Sequence, residues 1–141
     1  MTTQDKVQRF AWDCALGARA PTRAYKGDAG YDLYSNEVCV IQPRETRKIS
    51  TGVRVIFAPG WWAEIMDRSS LALQGLHTIG GVIDEGYEDY IGVIMFNSGT
   101  RPYVVSLHEK VAQLVPRVRY VDPREEELPV RGKKKHGSSG R

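Results

Sequence analysis

The sequence predicts an all-β domain, a sandwich or a barrel, with one short helix. Its apolar residues fall in short runs that are rich in β-branched and aromatic side chains, and several runs alternate with a period of two. Seven prolines and fourteen glycines are spaced among these runs, a pattern that favours frequent turns over long helices. With 141 residues, the chain has room for a single modest core.

The predicted strands follow one another along the chain. They are an edge strand in which Val7, Phe10 and Trp12 alternate, then 38–41, 53–57, 61–66, 90–96, 104–107, 111–115, and a shorter strand at 118–121. Pro116 is expected to end the strand at 111–115, because proline cannot donate to a β-ladder. The segment RSSLALQGL at 68–76 predicts the helix, which Gly75 closes. Ser69 and Ser70 lie at its start, where hydroxyl groups can cap free backbone N–H groups.

The stretch 80–97, GGVIDEGYEDYIGVIMFN, joins a turn-rich acidic half to an apolar strand. Its glycines supply positive φ angles, so the first half predicts a hairpin that leads into the strand at 90–96. Asp84 and Tyr87 stand on either side of Gly86. This arrangement suits a base beside an aromatic platform, and it equally fits an ordinary acidic surface hairpin.

The charge distribution separates a domain at 1–121 from a C-terminal arm at 122–141. The net charge of +3 is mild and does not indicate general nucleic-acid binding. The end of the arm, RGKKKHGSSGR, has no apolar side chain, so we expect it to be flexible alone or ordered by something that it binds. A solvated terminus and a basic nucleic-acid or nuclear-targeting segment are the other interpretations of the arm.

Cysteine content and hydropathy bear on the compartment. Cys14 and Cys39 are too few for a disulfide scaffold and indicate reduced thiols. The sequence does not open on a secretion leader pattern, and no apolar run approaches the roughly 20 residues that span a bilayer. We therefore expect an intracellular protein, cytoplasmic or nuclear, that is neither secreted nor embedded in a membrane.

Three polar segments suit an anionic ligand. Arg68-Ser69-Ser70 combines a guanidinium, two hydroxyls and a helix start, which together form an anion cradle. Gln113 interrupts an apolar strand and should point away from its neighbours, although simple alternation in a half-exposed strand explains it as well. Glycine-flanked serines beside the lysines of the arm fit a phosphate-binding loop or a flexible linker.

Five segments, in this order and at these intervals, resemble the motifs of the trimeric dUTPase family. They are AGYDLYS at 29–35, DRSSLAL at 67–73, GGVIDEGYEDYI at 80–91, EKVAQLV at 109–115 and RGKKKHGSSG at 131–140. Pro21-Thr22-Arg23 fits as well, so the resemblance runs from about residue 7 to the C-terminus. The first four motifs are specific when they occur together.

The resemblance implies a jelly-roll-like β fold, a homotrimer with shared active sites, and hydrolysis of dUTP to dUMP and pyrophosphate with Mg²⁺. Each site would take its third motif from another subunit and its fifth motif from an arm that crosses the trimer. The reaction would keep uracil out of DNA and supply dUMP.

The resemblance also implies a role for each matched residue. Asp84 would be the general base that activates the attacking water, and Tyr87 would stack under the deoxyribose and exclude a ribose 2′-hydroxyl. The backbone from Gly81 to Ile83 would read the uracil edge. The remaining roles are Arg68, Ser69, Ser70 and Gln113 at phosphate oxygens, Asp32 at Mg²⁺ through water, Arg131, Ser138 and Ser139 at the γ-phosphate, and His136 over the uracil.

The chain departs from the family pattern at a few positions. Lys110 replaces an arginine, which keeps the charge and loses the bidentate fork. Asp89 replaces a glycine, where we expect a small strain at a left-handed φ. In the fifth motif, Lys135 stands in place of glycine and His136 in place of phenylalanine.

Two further interpretations share the fold. One is a catalytically weakened dUTPase-like interaction module, which the altered arm motivates. The other is a dCTP deaminase, against which the pair Asp84 and Tyr87 favours hydrolysis.

Overall fold

A computed structural model describes residues 10–131 of the chain, and the predictions that concern Val7, Lys135, His136, Ser138 and Ser139 lie outside this range. Strands dominate the described residues, so the predicted all-β class is confirmed. Within 10–131, no helix is long and apolar enough to cross a membrane.

The described range contains eleven strands. They are β1 (Phe10–Cys14), β2 (Tyr31–Tyr34), β3 (Cys39–Ile41), β4 (Thr46–Ser50), β5 (Val53–Phe57), β6 (Trp61–Met66), β7 (Leu76–Thr78), β8 (Val82–Ile83), β9 (Gly92–Asn97), β10 (Tyr103–Val105) and β11 (Lys110–Val118). They pair in four sheets with the orders β1-β5, β10-β3, β2-β11-β6-β8 and β4-β9-β7. A helix of one turn, α1 (Ser69–Ala72), follows β6, and a 3-10 helix (Pro123–Glu127) follows β11.

The inward faces of these sheets meet in one apolar core. Strand β9 shows the alternation, since Val93 and Met95 are buried while Ile94 between them is only partly buried. The sheets and α1 contribute Leu33, Ile41, Ile49, Val55, Ile65, Leu71, Leu76, Ile83, Val105 and Leu114, among others. Burial of one such side chain stabilises a fold by about 1.5–3 kcal/mol. The core thus fixes which residues of each strand face inward and which face outward.

The predicted hairpin within 80–97 is wrong in its strand pairing. Strand β8 pairs with β6 in the four-stranded sheet, whereas β9 pairs with β4 and β7 in another sheet. The predicted glycine geometry is nevertheless confirmed, because Gly80, Gly81 and Gly86 have φ angles of 72°, 107° and 84°. Gly81 accepts a hydrogen bond from the Ile65 N–H at 2.7 Å, so the chain enters β8 alongside β6. The turn that follows β8 then leads the chain to β9, which lies in a different sheet.

The helix is shorter than predicted. It covers Ser69–Ala72, and Leu76 already belongs to β7. Gly75 ends it with a φ of 91°, as its residue type suggests. The N-cap residue is Arg68, which makes no side-chain capping bond, so the predicted serine caps are wrong.

Strand β11 runs through Pro116, where the sequence predicted an end. Pro116 pairs with Ala63 of β6, but the pairing of β11 with β2 stops at Leu114. Beyond that point β11 has a neighbour on one side only, so a missing N–H group is tolerated on the other. The separate strand predicted at 118–121 is therefore absent from the described fold.

Candidate active site

Five residues from three of the predicted motifs line one cavity of about 250 Å³, which we call the anion cradle. They are Asp32, Arg68, Ser69, Ser70 and Gln113. In the sheet, Gln113 lies opposite Asp32 of β2 on one side and Met66 of β6 on the other. Directly paired residues point to the same face, so the outward direction predicted for Gln113 is confirmed, and its neighbours Ala112 and Leu114 are buried.

Hydrogen bonds hold the donors of the anion cradle in place. The Gln113 side-chain amide donates to the Asp67 carbonyl oxygen at 2.9 Å. The Arg68 guanidinium donates to the Lys110 carbonyl oxygen at 3.2 Å. The Lys110 ammonium lies 3.5 Å from an oxygen of the Asp32 carboxylate, so this lysine supplies positive charge at the edge of the cradle.

Asp67 secures the segment that enters α1. Its Oδ1 atom accepts hydrogen bonds of 2.5 Å from both the N–H and the hydroxyl of Thr78, and His77 Nδ1 lies 3.5 Å from Oδ2. Burial alone raises the pKa of this carboxyl, but the bonds from Thr78 and the proximity of His77 outweigh burial and lower its pKa. The sequence did not predict this role, because the partners lie on β7, a strand that was not predicted.

A second cavity, of about 150 Å³, contains the residues predicted to recognise the base, and we call it the base pocket. Gly81, Ile83 and Tyr87 line it together with Gly92 and Lys48, and the other lining residues are Ile65, Ile79, Val82 and Ile94. Burial and the nearby Asp89 raise the pKa of the Tyr87 hydroxyl. Lys48 and Gly92 were not predicted here.

Gly81 has a packing requirement as well as its positive φ. A Cβ atom at this position would lie 2.7 Å from the Ile65 carbonyl oxygen, which is closer than real Cβ atoms approach. Only glycine therefore lets the backbone before Ile83 run against β6. This close approach leaves the pocket bordered by backbone as well as by side chains.

Asp84 follows the base pocket and is exposed, with 56% of its side chain accessible to solvent. The Arg131 guanidinium donates to the Asp84 carboxylate at 3.1 Å. The strain expected at Asp89 is wrong, because the only non-glycine residues with positive φ in 10–131 are Arg44 and His108. The left-handed position of this turn is filled by Gly86 instead.

The anion cradle and the base pocket lie apart, although Gln113 of the cradle and Ile83 of the pocket belong to the same sheet. Gln113 is paired with Met66, whereas Ile83 is paired with Ala63, three residues earlier on β6. Three residues along a strand and two strand spacings put the Cα atoms of Gln113 and Ile83 about 14 Å apart. Asp84 continues away from the cradle. One chain therefore does not bring Asp84, its predicted general base, close to its own predicted phosphate donors.

Comparisons with known proteins agree on one family. The dUTPase family model matches residues 17–141. The deoxyuridine 5'-triphosphate nucleotidohydrolase of Clostridioides difficile is 39% identical over 142 residues, which cover 96% of each chain. The EIAV dUTPase structure is similar with a TM-score of 0.72 and 29% identity, covering 89% of this chain and 98% of that one. A mutant dUTPase from phage phi11 of S. aureus, described with a structural Mg(II) ion, is similar with a TM-score of 0.76 and 25% identity, covering 89% of this chain and 98% of that one.

Proposed function

The chain belongs to the dUTPase family, has the jelly-roll fold of that family, and on that premise we propose that it hydrolyses dUTP to dUMP and pyrophosphate. The observation that carries this proposal is a pair of cavities with complementary linings. One collects a guanidinium, two hydroxyls, an amide and a carboxylate, and the other is a mostly apolar pocket bordered by glycine backbone and a tyrosine. Brought together from two subunits, the two kinds of cavity suit a ligand with a flat base and a chain of phosphates.

The anion cradle would bind the triphosphate. Arg68 would donate to phosphate oxygens through its guanidinium, and the uncapped hydroxyls of Ser69 and Ser70 would do so beside it. Gln113 would keep its position through its bond to the Asp67 carbonyl. Donors that are fixed before the reaction stabilise the charge that develops in phosphoryl transfer, because they need no reorganisation.

Asp84 would act as the general base. Its carboxylate would take a proton from water as the water oxygen attacks phosphorus, and the anhydride bond between the α- and β-phosphates would break. Tyr87 would stack under the deoxyribose, where a 2′-hydroxyl finds no room, and the backbone from Gly81 to Ile83 would read the uracil. The exposure of Asp84 to solvent supports the access of a water molecule.

The distance between the two cavities supports a homotrimer with shared sites. Since Asp84 lies beyond the base pocket as seen from the anion cradle, its water would attack phosphates held by the cradle of a neighbouring subunit. The arm would complete the site, with Arg131, Ser138 and Ser139 at the γ-phosphate and His136 over the base.

The residues of the cradle fit Mg²⁺ bound mainly through phosphates and water. Within 10–131, no cluster of three or more His, Cys, Asp or Glu residues could hold a metal ion by itself. Mg²⁺ commonly keeps several waters and binds through one or two carboxylates plus substrate phosphates. Asp32 would hold such waters at the cradle, where 24% of its side chain is exposed. The ion would neutralise charge on the phosphate oxygens.

Pyrophosphate release from dUTP, dCTP and UTP, each with Mg²⁺, tests the proposal. We expect release from dUTP at a kcat/KM at least about a hundredfold above that for UTP, the size of discrimination that a steric pocket supplies against a hydroxyl. Release from dCTP should also be lower than release from dUTP, because the cytosine edge does not match the hydrogen bonds of the base pocket. Absence of release from dUTP by a folded protein, with phosphate and pyrophosphate both measured, would refute the proposed function.

A further inference from the structure

Lys48 is a residue of the base pocket that none of the five motifs contains. It lies on β4 opposite Ile94 of β9, and it lines the pocket together with Gly81, Ile83 and Tyr87. It is the only lysine, arginine or acidic residue among the described residues that line this pocket. Its side chain as a whole is exposed to solvent, so the ammonium is solvated and free to reach a ligand at the pocket while the stem packs along it.

The stem of Lys48 runs directly over Gly92. A Cβ atom built on Gly92 would lie 2.1 Å from Lys48 Cε, 2.6 Å from Cγ and 2.9 Å from Cδ. Gly92 does not have a positive φ, so its backbone does not require glycine. The lysine stem occupies the space that a side chain at Gly92 would need, and the two positions lie side by side on neighbouring strands.

We propose, resting on the proposed function, that the Lys48 ammonium donates a hydrogen bond to a carbonyl oxygen of the bound pyrimidine and adds to the preference for uracil over cytosine. An ammonium group has three donors and no acceptor. Uracil has a carbonyl at C4, whereas cytosine has an amino group there. A lysine that faces this position pairs with uracil and meets cytosine donor against donor.

The effect on discrimination follows from this chemistry. A hydrogen bond to a charged group contributes more than one between neutral groups. Lys48 is exposed as a whole. Solvent therefore weakens its hydrogen bond to the ligand, and the lower end of the range for charged hydrogen bonds applies. Loss of the ammonium should therefore reduce the dUTP/dCTP ratio of kcat/KM by about tenfold.

Two variants of Lys48 and one control measure this ratio. Lys48→Met keeps the length of the stem and removes the donor, so kcat/KM for dUTP should fall about tenfold while that for dCTP changes little. Lys48→Gln adds an amide oxygen that can accept from the cytosine amino group, so its ratio should fall at least as far. Lys26→Met changes an exposed lysine in a loop far along the chain from the pocket residues and should leave the ratio unchanged.

Affinities for dUMP and dCMP, measured by calorimetry, separate binding of the base from the chemical step. We expect the same tenfold loss of preference in these affinities for Lys48→Met, with an unchanged melting temperature. A ratio that stays within twofold of the parent in both Lys48 variants overturns the inference, and so does an equal loss for the two nucleotides. Either result leaves the proposed function intact if the parent hydrolyses dUTP, whereas a parent without dUTP hydrolysis refutes that function.

Discussion

Replacement of Asp67 by alanine should weaken both the fold and the anion cradle. The substitution leaves the N–H and the hydroxyl of Thr78 without the carboxylate that both contact at 2.5 Å. Hydrogen bonds to a charged group contribute about 1.5–3 kcal/mol each, but 35% of the Asp67 side chain is exposed, and solvent screening reduces that figure. We expect the free energy of unfolding to fall by about 2 kcal/mol in total.

Urea unfolding at fixed protein concentration measures this loss, and steady-state kinetics measure the cradle. The Asp67 carbonyl positions Gln113, and Arg68 is the next residue, so kcat/KM for dUTP should fall in Asp67→Ala even where the protein is fully folded. Affinity for dUMP should change less, because its uracil and deoxyribose bind in the base pocket. A merely structural role of Asp67 would lower the free energy of unfolding and leave kcat/KM for dUTP and the affinity for dUMP unchanged.

Thr78→Val is the matched control. It keeps the β-branched shape and the backbone N–H while it removes the hydroxyl. The free energy of unfolding should therefore fall by roughly 1 kcal/mol, half of the loss expected for Asp67→Ala. In the double variant the two losses should not add, because they share one hydrogen bond. Full additivity would show that Asp67 and Thr78 act independently, and unchanged urea midpoints and kinetics in Asp67→Ala would refute the reasoning.

The stability difference between the parent and Asp67→Ala should depend on pH with a definite sign. Hydrogen bonds lower the pKa of Asp67 in the folded protein below its ordinary value of 3.8. The carboxylate therefore contributes its full stability above that ordinary value and loses it as the pH falls through the lower folded-state pKa. The stability difference between the parent and Asp67→Ala should be present near neutral pH and should shrink as the pH falls below about pH 4.

Three further predictions test the base, the close approach at β8 and the arm. Asp84→Asn should lower kcat by roughly a hundred- to ten-thousandfold with dUMP affinity within a few-fold of the parent; turnover close to the parent would remove Asp84 from the role of base. Gly81→Ala should cost about 2 kcal/mol or more in urea unfolding, because it combines a positive φ with a contact to the Ile65 carbonyl; a stability equal to the parent would contradict the geometry. A chain that ends at Val130 should fold, assemble and bind dUMP but lose most hydrolysis of dUTP, and its KM should rise less steeply with salt; an unchanged kcat/KM would make the arm a solvated tail.

Local chemistry explains why parts of the fold were predictable. The alternation of Val53–Phe57 and the β-branched run of β9 follow from burial of one face, so both strands were predicted within a few residues. Strand β4 was missed because its sequence, TRKIS, buries only Ile49. Such a strand forms through its pairing with β9, and a pairing partner is not encoded in a short segment. The wrong hairpin partner of β8 has the same cause.

The candidate site, like the fold, was predictable from the sequence only in part. Residue types that are adjacent in sequence, such as Arg68-Ser69-Ser70, indicate an anion cradle by their chemistry alone. The contributions of Asp67 and Lys48 depend on partners that lie 11 residues away in one case and on the paired strand β9 in the other. Only the folded arrangement of strands brings these atoms together.

The separation of the two cavities has a genetic consequence if the sites are shared. A chain with a damaged cradle still supplies an intact base pocket to a neighbour, and a chain with a damaged base still supplies an intact cradle. Two inactive forms, Arg68→Ala and Asp84→Asn, would then complement each other when refolded together. With random mixing in equal amounts, about a quarter of the sites would have both intact halves. Neither mutation would behave as a simple loss, because each defective chain would also silence a site to which a healthy neighbour contributes.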